Sequence, residues 1–186
     1  EIAIPLGIEF YIGLPGNYPR DCIATLKGFK PWTMLFHLNK MPRPFVKGML
    51  NPKSLTARSF NNPPLLGDMT RYNDIDMQTI ELPAANGIGQ VRGMAKAYGE
   101  FATGGATLGL TPETLAALTD SAETPSGGTL DLVLRFKTAF SLGYIKPSAD
   151  LHFGSSRRAF GTAGAGGSFA FADPDAGIGF AYAPNK

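Results

Sequence analysis

Hydrophobic and polar residues change rhythm near residue 129 of this chain. Upstream, Val91, Met94, Ala95, Tyr98, Phe101 and Ala102 recur at helical spacing, which predicts an amphipathic helix over Gln90–Thr103. Gly104-Gly105 supplies its stop, and Pro83-Ala84-Ala85-Asn86-Gly87-Ile88-Gly89 reads as a tight turn delivering the chain into it. Thr111-Pro112-Glu113 opens a second helix, with Thr as N-cap and Pro at the first helical position, running to about Thr119. Ser121–Gly128 is a polar connector. Downstream the period falls to two. Leu130, Leu132, Leu134 and Phe136 alternate with Asp131, Val133, Arg135 and Lys137, as in a half-buried strand. Further strands are expected at Ala139–Ile145, Ser168–Ala172 and Gly177–Ala183, the last two joined by the turn Asp173–Ala176 and so antiparallel. Helices first and antiparallel strands after them read as α+β, an antiparallel sheet with flanking helices.

The first third is less regular. Pro5–Gly13 reads as a turn followed by a short extended segment. From Pro15 to Pro64 the chain is irregular and rich in proline, with a short helix expected around Ser54–Phe60. Trp32, Phe36, Phe45 and Met49 give this stretch apolar anchors, so it is expected to pack. A loop region of this length signals a lid, a binding loop or a partner-dependent segment. No internal repeat is apparent.

Composition narrows the function classes. A length of 186 residues suits one domain, which at this size buries about 70% of its unfolded surface. A net charge of +2 predicts no strong field for nucleic acid. The apolar runs are far shorter than the roughly 18 residues that a membrane span needs. The N-terminus lacks the basic region of a signal peptide and does not begin with Met. Cys22 stands alone and reads as small apolar filler. His37 and His152 are too few and too isolated for a zinc site. No metal and no cofactor is called for.

The tail Ala159–Tyr182 carries the candidate chemistry: a glycine-dense bend leading into alternating strands. Gly164-Ala165-Gly166-Gly167-Ser168 is not a phosphate loop, because Gly-Lys-Ser/Thr entering a helix is missing. Gly166-Gly167-Ser168-Phe169-Ala170 falls one residue short of Gly-x-Ser-x-Gly, and no His follows Ser168 in the chain. Ser168 reads instead as a structural residue at a strand start. What remains is backbone. A strand edge opened by glycine can aim an N–H at a developing oxyanion, a contribution of about 2.7–4 kcal/mol where it has been probed. The nucleophile would come from elsewhere, since no serine here has Lys three residues on.

Four stretches converge on one family: Pro5–Pro15 (PLGIEFYIGLP), Pro83–Gly89 before a helix, Leu110–Thr114 (LTPET), and Phe160–Tyr182 (FGTAGAGGSFAFADPDAGIGFAY). Together they resemble the serine β-lactamase-like hydrolases, specifically the class C β-lactamase-related carboxylesterase branch. The resemblance implies a partial β-lactamase/penicillin-binding-protein-like fold and ester hydrolysis through an acyl-enzyme. In that family an early Ser-x-x-Lys gives nucleophile and base, and a middle Tyr motif a second proton carrier. A late strand motif, Lys-Thr-Gly or His-x-Gly, lines the pocket. Only the third falls in this chain, as Thr162-Ala163-Gly164 followed by Ala165. The resemblance thus implies the Ala165 N–H as oxyanion donor, Gly164 as the residue keeping the strand open, and Ala163 on the pocket wall. It also implies rim residues such as Trp32 from the Trp32–Phe45 loop.

Thr162 departs from the family, standing where it has Lys or His. The resemblance further implies that 1–186 is the C-terminal portion of a single hydrolase domain. Its parts would be a loop-rich and helical region over 1–82, helices over 83–128 and antiparallel strands over 129–186. The expected partners are a small-molecule ester or amide and either the missing N-terminal half or a second copy, with no nucleic acid and no membrane. The isolated chain is not expected to turn over esters. The alternative is a non-catalytic binding or scaffolding module that kept the fold, which Thr162 favours slightly.

Overall fold

The computed structural model describes residues 1–28, 42–164 and 166–184, the side chains of Leu65 and Leu66 excepted. The chain divides into two units. One comprises Glu1–Tyr11, Ile88–Thr129 and Thr138–Pro184; the other comprises Ile12–Gly87 and Leu130–Lys137. None of the helices among the described residues is long and apolar enough to cross a membrane.

The chain opens with a one-turn helix, α1 (Ala3–Leu6), where a turn was expected; Gly7 ends it in the left-handed region at φ 57°. The predicted extended segment follows as β1 (Phe10–Ile12).

In the second unit, α2 (Arg43–Leu50) lies inside the stretch that sequence predicts to be irregular. Pro42 and Pro44 disguised it. Proline is a breaker within a helix but is tolerated at the first helical positions, where its missing N–H would have had no partner. The expected helix at Ser54–Phe60 is present as α3 (Leu55–Phe60), capped by the Ser54 hydroxyl, which accepts the Ala57 N–H at 3.0 Å. Gly48 lets the two helices meet, since a Cβ there would press on the Thr56 side chain, and Phe45 meets Phe60 edge to face at 5.8 Å. A third helix, α4 (Ile75–Thr79), is tied to the following turn by buried Asn86. Its amide donates to the Met77 and Ile80 carbonyls at 2.8 and 2.5 Å. The Pro83–Gly89 turn thus ends in β2 (Gly87–Gly89), which pairs with β1.

The expected strand over Leu130–Lys137 is absent; only an isolated Leu130–Lys137 bridge forms. The Asp131 carboxylate accepts the Val133 and Leu134 N–H groups at 2.8 and 2.7 Å. The Arg135 N–H then donates to the Asp131 carbonyl at 2.8 Å. This local capture by an aspartate closes a tight turn and outcompetes extension.

The first unit holds the two helices read most directly from sequence, α5 (Val91–Ala102) and α6 (Pro112–Thr119). Thr111 caps α6 as expected, its hydroxyl accepting the Thr114 N–H at 3.2 Å. The sheet is antiparallel, in the order β3 (Phe140–Ser141), β4 (Tyr144–Ile145), β5 (Phe160–Ala163), β6 (Phe169–Asp173) and β7 (Ile178–Tyr182). The single strand expected at 139–145 is instead a hairpin. Leu142 and Gly143 form its two-residue turn with φ of 49° and 83°, the mirror-image geometry that suits tight hairpins.

Cross-strand partners assign the faces of β6 and β7. Ala170 pairs with Ala181 and Ala172 with Gly179; this small-residue face receives α5. Contact there is so close that a Cβ on Gly179 would run into the Gly99 and Ala95 backbone. Phe160, with no exposed surface, centres the core with Ala172, Ala102 and Leu118. Tyr144 meets its ring at 5.2 Å and Phe101 at 6.4 Å, both edge to face. Such geometry adds about 0.5–1.5 kcal/mol per pair beyond burial.

Candidate active site

The third-motif residues lie on β5, an interior strand with an incomplete ladder. On one side β5 pairs with β6 from Phe160 to Ala163; on the other it meets β4 only at Gly161, opposite Ile145. Beyond Gly161 the β4 side is therefore unladdered among the described residues. Backbone polar groups alternate sides along a strand. Gly161 faces β4, and the Gly164 N–H is taken by the Ser168 carbonyl at 2.8 Å. By that alternation the Ala163 peptide groups face the open side. The Ala163 N–H and C=O thus face a side with no strand partner among the described residues, a disposition that could serve an oxyanion or a peptide-like group.

Of the expected site residues, Thr162, Ala163 and Gly164 lie among the described residues. Thr162 is exposed, and its hydroxyl is hydrogen-bonded to the Tyr98 phenol on α5. Ala163 is exposed at the strand end. Gly164 has a packing reason of its own, because a Cβ there would collide with the Ser168 hydroxyl. Ser168 directly precedes β6 and closes the β5–β6 loop through its carbonyl, as its structural reading requires. Ala165 and Trp32, with Phe36 and His37, lie outside the described residues.

Two residues beside Thr162 and Phe160 were not singled out from sequence as site neighbours. Burial raises the Tyr98 phenol above its ordinary value, and the hydrogen bond from Thr162 partly offsets this. Tyr98 belonged to the apolar face of α5, so its periodicity concealed its polar end. Lys146 follows β4 and is 2% exposed. Its ammonium donates to the Leu118 and Arg158 carbonyls at 2.8 and 3.2 Å and sits 5.4 Å from the Phe160 ring centre. Burial lowers its pKa; nearby Asp120 opposes the shift and Arg158 adds to it. A single lysine in Tyr-Ile-Lys-Pro gives no sequence signal for this.

The turn after β6 is held by Asp173, 4% exposed. It accepts the Ser155 N–H and hydroxyl at 2.5 and 2.9 Å and the Ala176 N–H at 3.2 Å. Burial pushes its carboxyl upward, but these bonds, joined by one from the Asp175 N–H, prevail and hold it below the usual value.

A family model described as Beta-lactamase matches residues 36–186. The chain belongs to the β-lactamase family. It is 32% identical over 106 residues to "Esterase/beta-lactamase LipL" of Mycobacterium tuberculosis, an alignment covering 57% of this chain and 24% of LipL. Among solved structures, a penicillin-binding protein homologue from Caulobacter crescentus superposes with TM-score 0.70 and 27% identity, over all of this chain and 45% of its own. A family VIII carboxylesterase gives 0.66 and 30%, over all of this chain and 44% of its own. The chain thus spans less than half the length of these relatives. It is a β-lactamase-fold chain of mixed helix and antiparallel sheet, related to carboxylesterases.

Proposed function

We propose that this chain supplies the oxyanion-hole strand of a serine hydrolase that cleaves esters. The observation carrying the proposal is the unladdered edge of β5 at 162–164, where the third motif of the family falls. In the proposed reaction a serine hydroxyl, contributed by protein outside this chain, attacks the ester carbonyl and passes its proton to a neighbouring base. The alcohol departs with a proton, leaving the acyl group on serine. Water then attacks the acyl-enzyme and releases the carboxylic acid. Negative charge builds on the carbonyl oxygen in both steps, and the Ala165 N–H is the donor assigned to it. Thr162 contributes a hydroxyl, positioned by Tyr98, in place of a cation or imidazole.

The test is steady-state hydrolysis of a p-nitrophenyl ester by the complete protein and by its Ala165→Pro variant. Loss of one oxyanion donor is expected to lower kcat by about 10²–10³-fold; an unchanged kcat overturns the assignment. The 186-residue chain alone is expected to show no turnover. A second reading, a non-catalytic module, is favoured by Thr162, which stands where the family has Lys or His. No turnover by the folded complete protein would support that reading.

A further inference from the structure

The second unit contains an open groove of about 530 Å³ that the ester-hydrolase reading does not use. Its lining includes Arg43 and Lys47 of α2 and Arg135 of the 130–137 turn, with Pro44, Leu55 and Leu132 supplying apolar surface. All three cations are exposed and line the same groove. Among the described residues none is in an ion pair. From residue 22 to residue 67 the sequence has Lys27, Lys30, Lys40, Arg43, Lys47, Lys53 and Arg58 but no Asp or Glu. The near-neutral average of the whole chain hides this run.

Three features here oppose stability. Arg43 occupies the first turn of α2, where the helix dipole disfavours a cation. Arg43 and Lys47, four residues apart on one helical face, repel each other. Arg135 holds a left-handed backbone at φ 66°, a conformation that glycine would adopt without strain. One hydrogen bond ties the two walls of the groove together. Fully buried Thr56 on α3 donates its hydroxyl to the Val133 carbonyl at 2.7 Å, fixing the turn that carries Leu132 and Arg135. Local choices that cost stability around a formed surface groove point to a ligand.

We propose that this groove binds a phosphate monoester carrying an apolar body. A monocarboxylate would neutralise one of three cations. A phosphate monoester carries nearly two negative charges at neutral pH and three acceptor oxygens, which suits two guanidinium forks and an ammonium. Pro44, Leu55 and Leu132 would receive the apolar part. A soluble phosphate ester and a lipid phosphate headgroup share this chemistry.

The experiment titrates the complete protein, the fold of each variant checked by circular dichroism, with phenyl phosphate, inorganic phosphate and benzoate by calorimetry at low salt. A parallel arm measures co-sedimentation with phosphatidylcholine vesicles with and without phosphatidic acid. Saturable binding of phenyl phosphate, tighter than of inorganic phosphate or benzoate, is the expected result. Arg135→Gly, which relieves the backbone strain, and the exposed pair R43Q/K47Q should each weaken it about tenfold or more. Binding only to phosphatidic acid vesicles, with the same sensitivity to substitution, would assign the headgroup as source. No binding to either probe, equal binding of benzoate, or binding indifferent to these substitutions overturns the proposal. Because the readout is binding, the outcome is independent of ester hydrolysis.

Discussion

Asp173 shows how one side chain can hold a turn. Its carboxylate serves both the Ser155 loop and the β6–β7 turn, while almost wholly shielded from water. Hydrogen bonds to a buried charge are worth about 1.5–3 kcal/mol, so Asp173→Ala should cost about 2–3 kcal/mol in urea denaturation. The sign with pH follows from linkage. The folded-state pKa is depressed, so the stabilisation is fully present above the unfolded value near 3.8 and is lost as pH falls through the folded value. Denaturation midpoints measured from neutral pH down into the acid range should fall more steeply below about pH 4 in the parent than in Asp173→Asn. Equal acid sensitivity would remove Asp173 as the cause. Sequence placed Asp173 in a turn but did not indicate Ser155 as its partner, since the bond spans 18 positions.

At the scale of elements, the approach of α5 to β7 governs how tightly the first unit closes. Gly179 lets its backbone meet that of Ala95 and Gly99 where a Cβ would collide, whereas a Cβ on Gly99 would make only ordinary contact. Gly179→Ala should therefore destabilise by about 1–3 kcal/mol or more through overpacking, whereas Gly166→Ala, whose Cβ would enter open space, should be near neutral. Thermal unfolding of the two variants checks this; equal melting points would show that the helix can shift freely. The 3.6-residue spacing made α5 and α6 legible, and paired turn chemistry did the same for β6 and β7. Alternation failed at 130–137 because it also describes a turn whose aspartate captures its own backbone. Periodicity did not find β5. Phe160–Ala163 carries two apolar residues around Gly161 and Thr162, too short and mixed a run, and only the family resemblance pointed there.

At the scale of the whole molecule, one face of the sheet stands out. Opposite α5, Phe169, Phe171 and Phe180 form a connected aromatic surface with Phe153; Phe171 stacks on Phe180 at 5.1 Å. Ile178, Phe180 and Tyr182 remain 52%, 44% and 53% exposed. A contiguous apolar face of this kind favours association. Size-exclusion chromatography with light scattering at micromolar concentration is expected to show self-association or aggregation of the 186-residue chain, reduced by Ile178→Ser with Phe180→Ser. A clean monomer across that range would contradict the expectation. In the complete protein, we propose, the remaining part of the hydrolase covers this face.

Sequence alone determined the α+β class, the amphipathic helix at 91–102, the capped helix at 112–119, the closing hairpin and, through resemblance, the family. Each is written in local spacing, in a cap or turn residue, or in a motif. Tertiary structure decided which strand lacks a neighbour beyond Gly161, that Thr162 is held by Tyr98, that Lys146 is buried on carbonyls, and that Arg43, Lys47 and Arg135 line one groove. These depend on pairings between residues far apart in the chain. Such pairings are set by packing and by the need of buried polar groups for partners, neither of which leaves a period or a spacing to read.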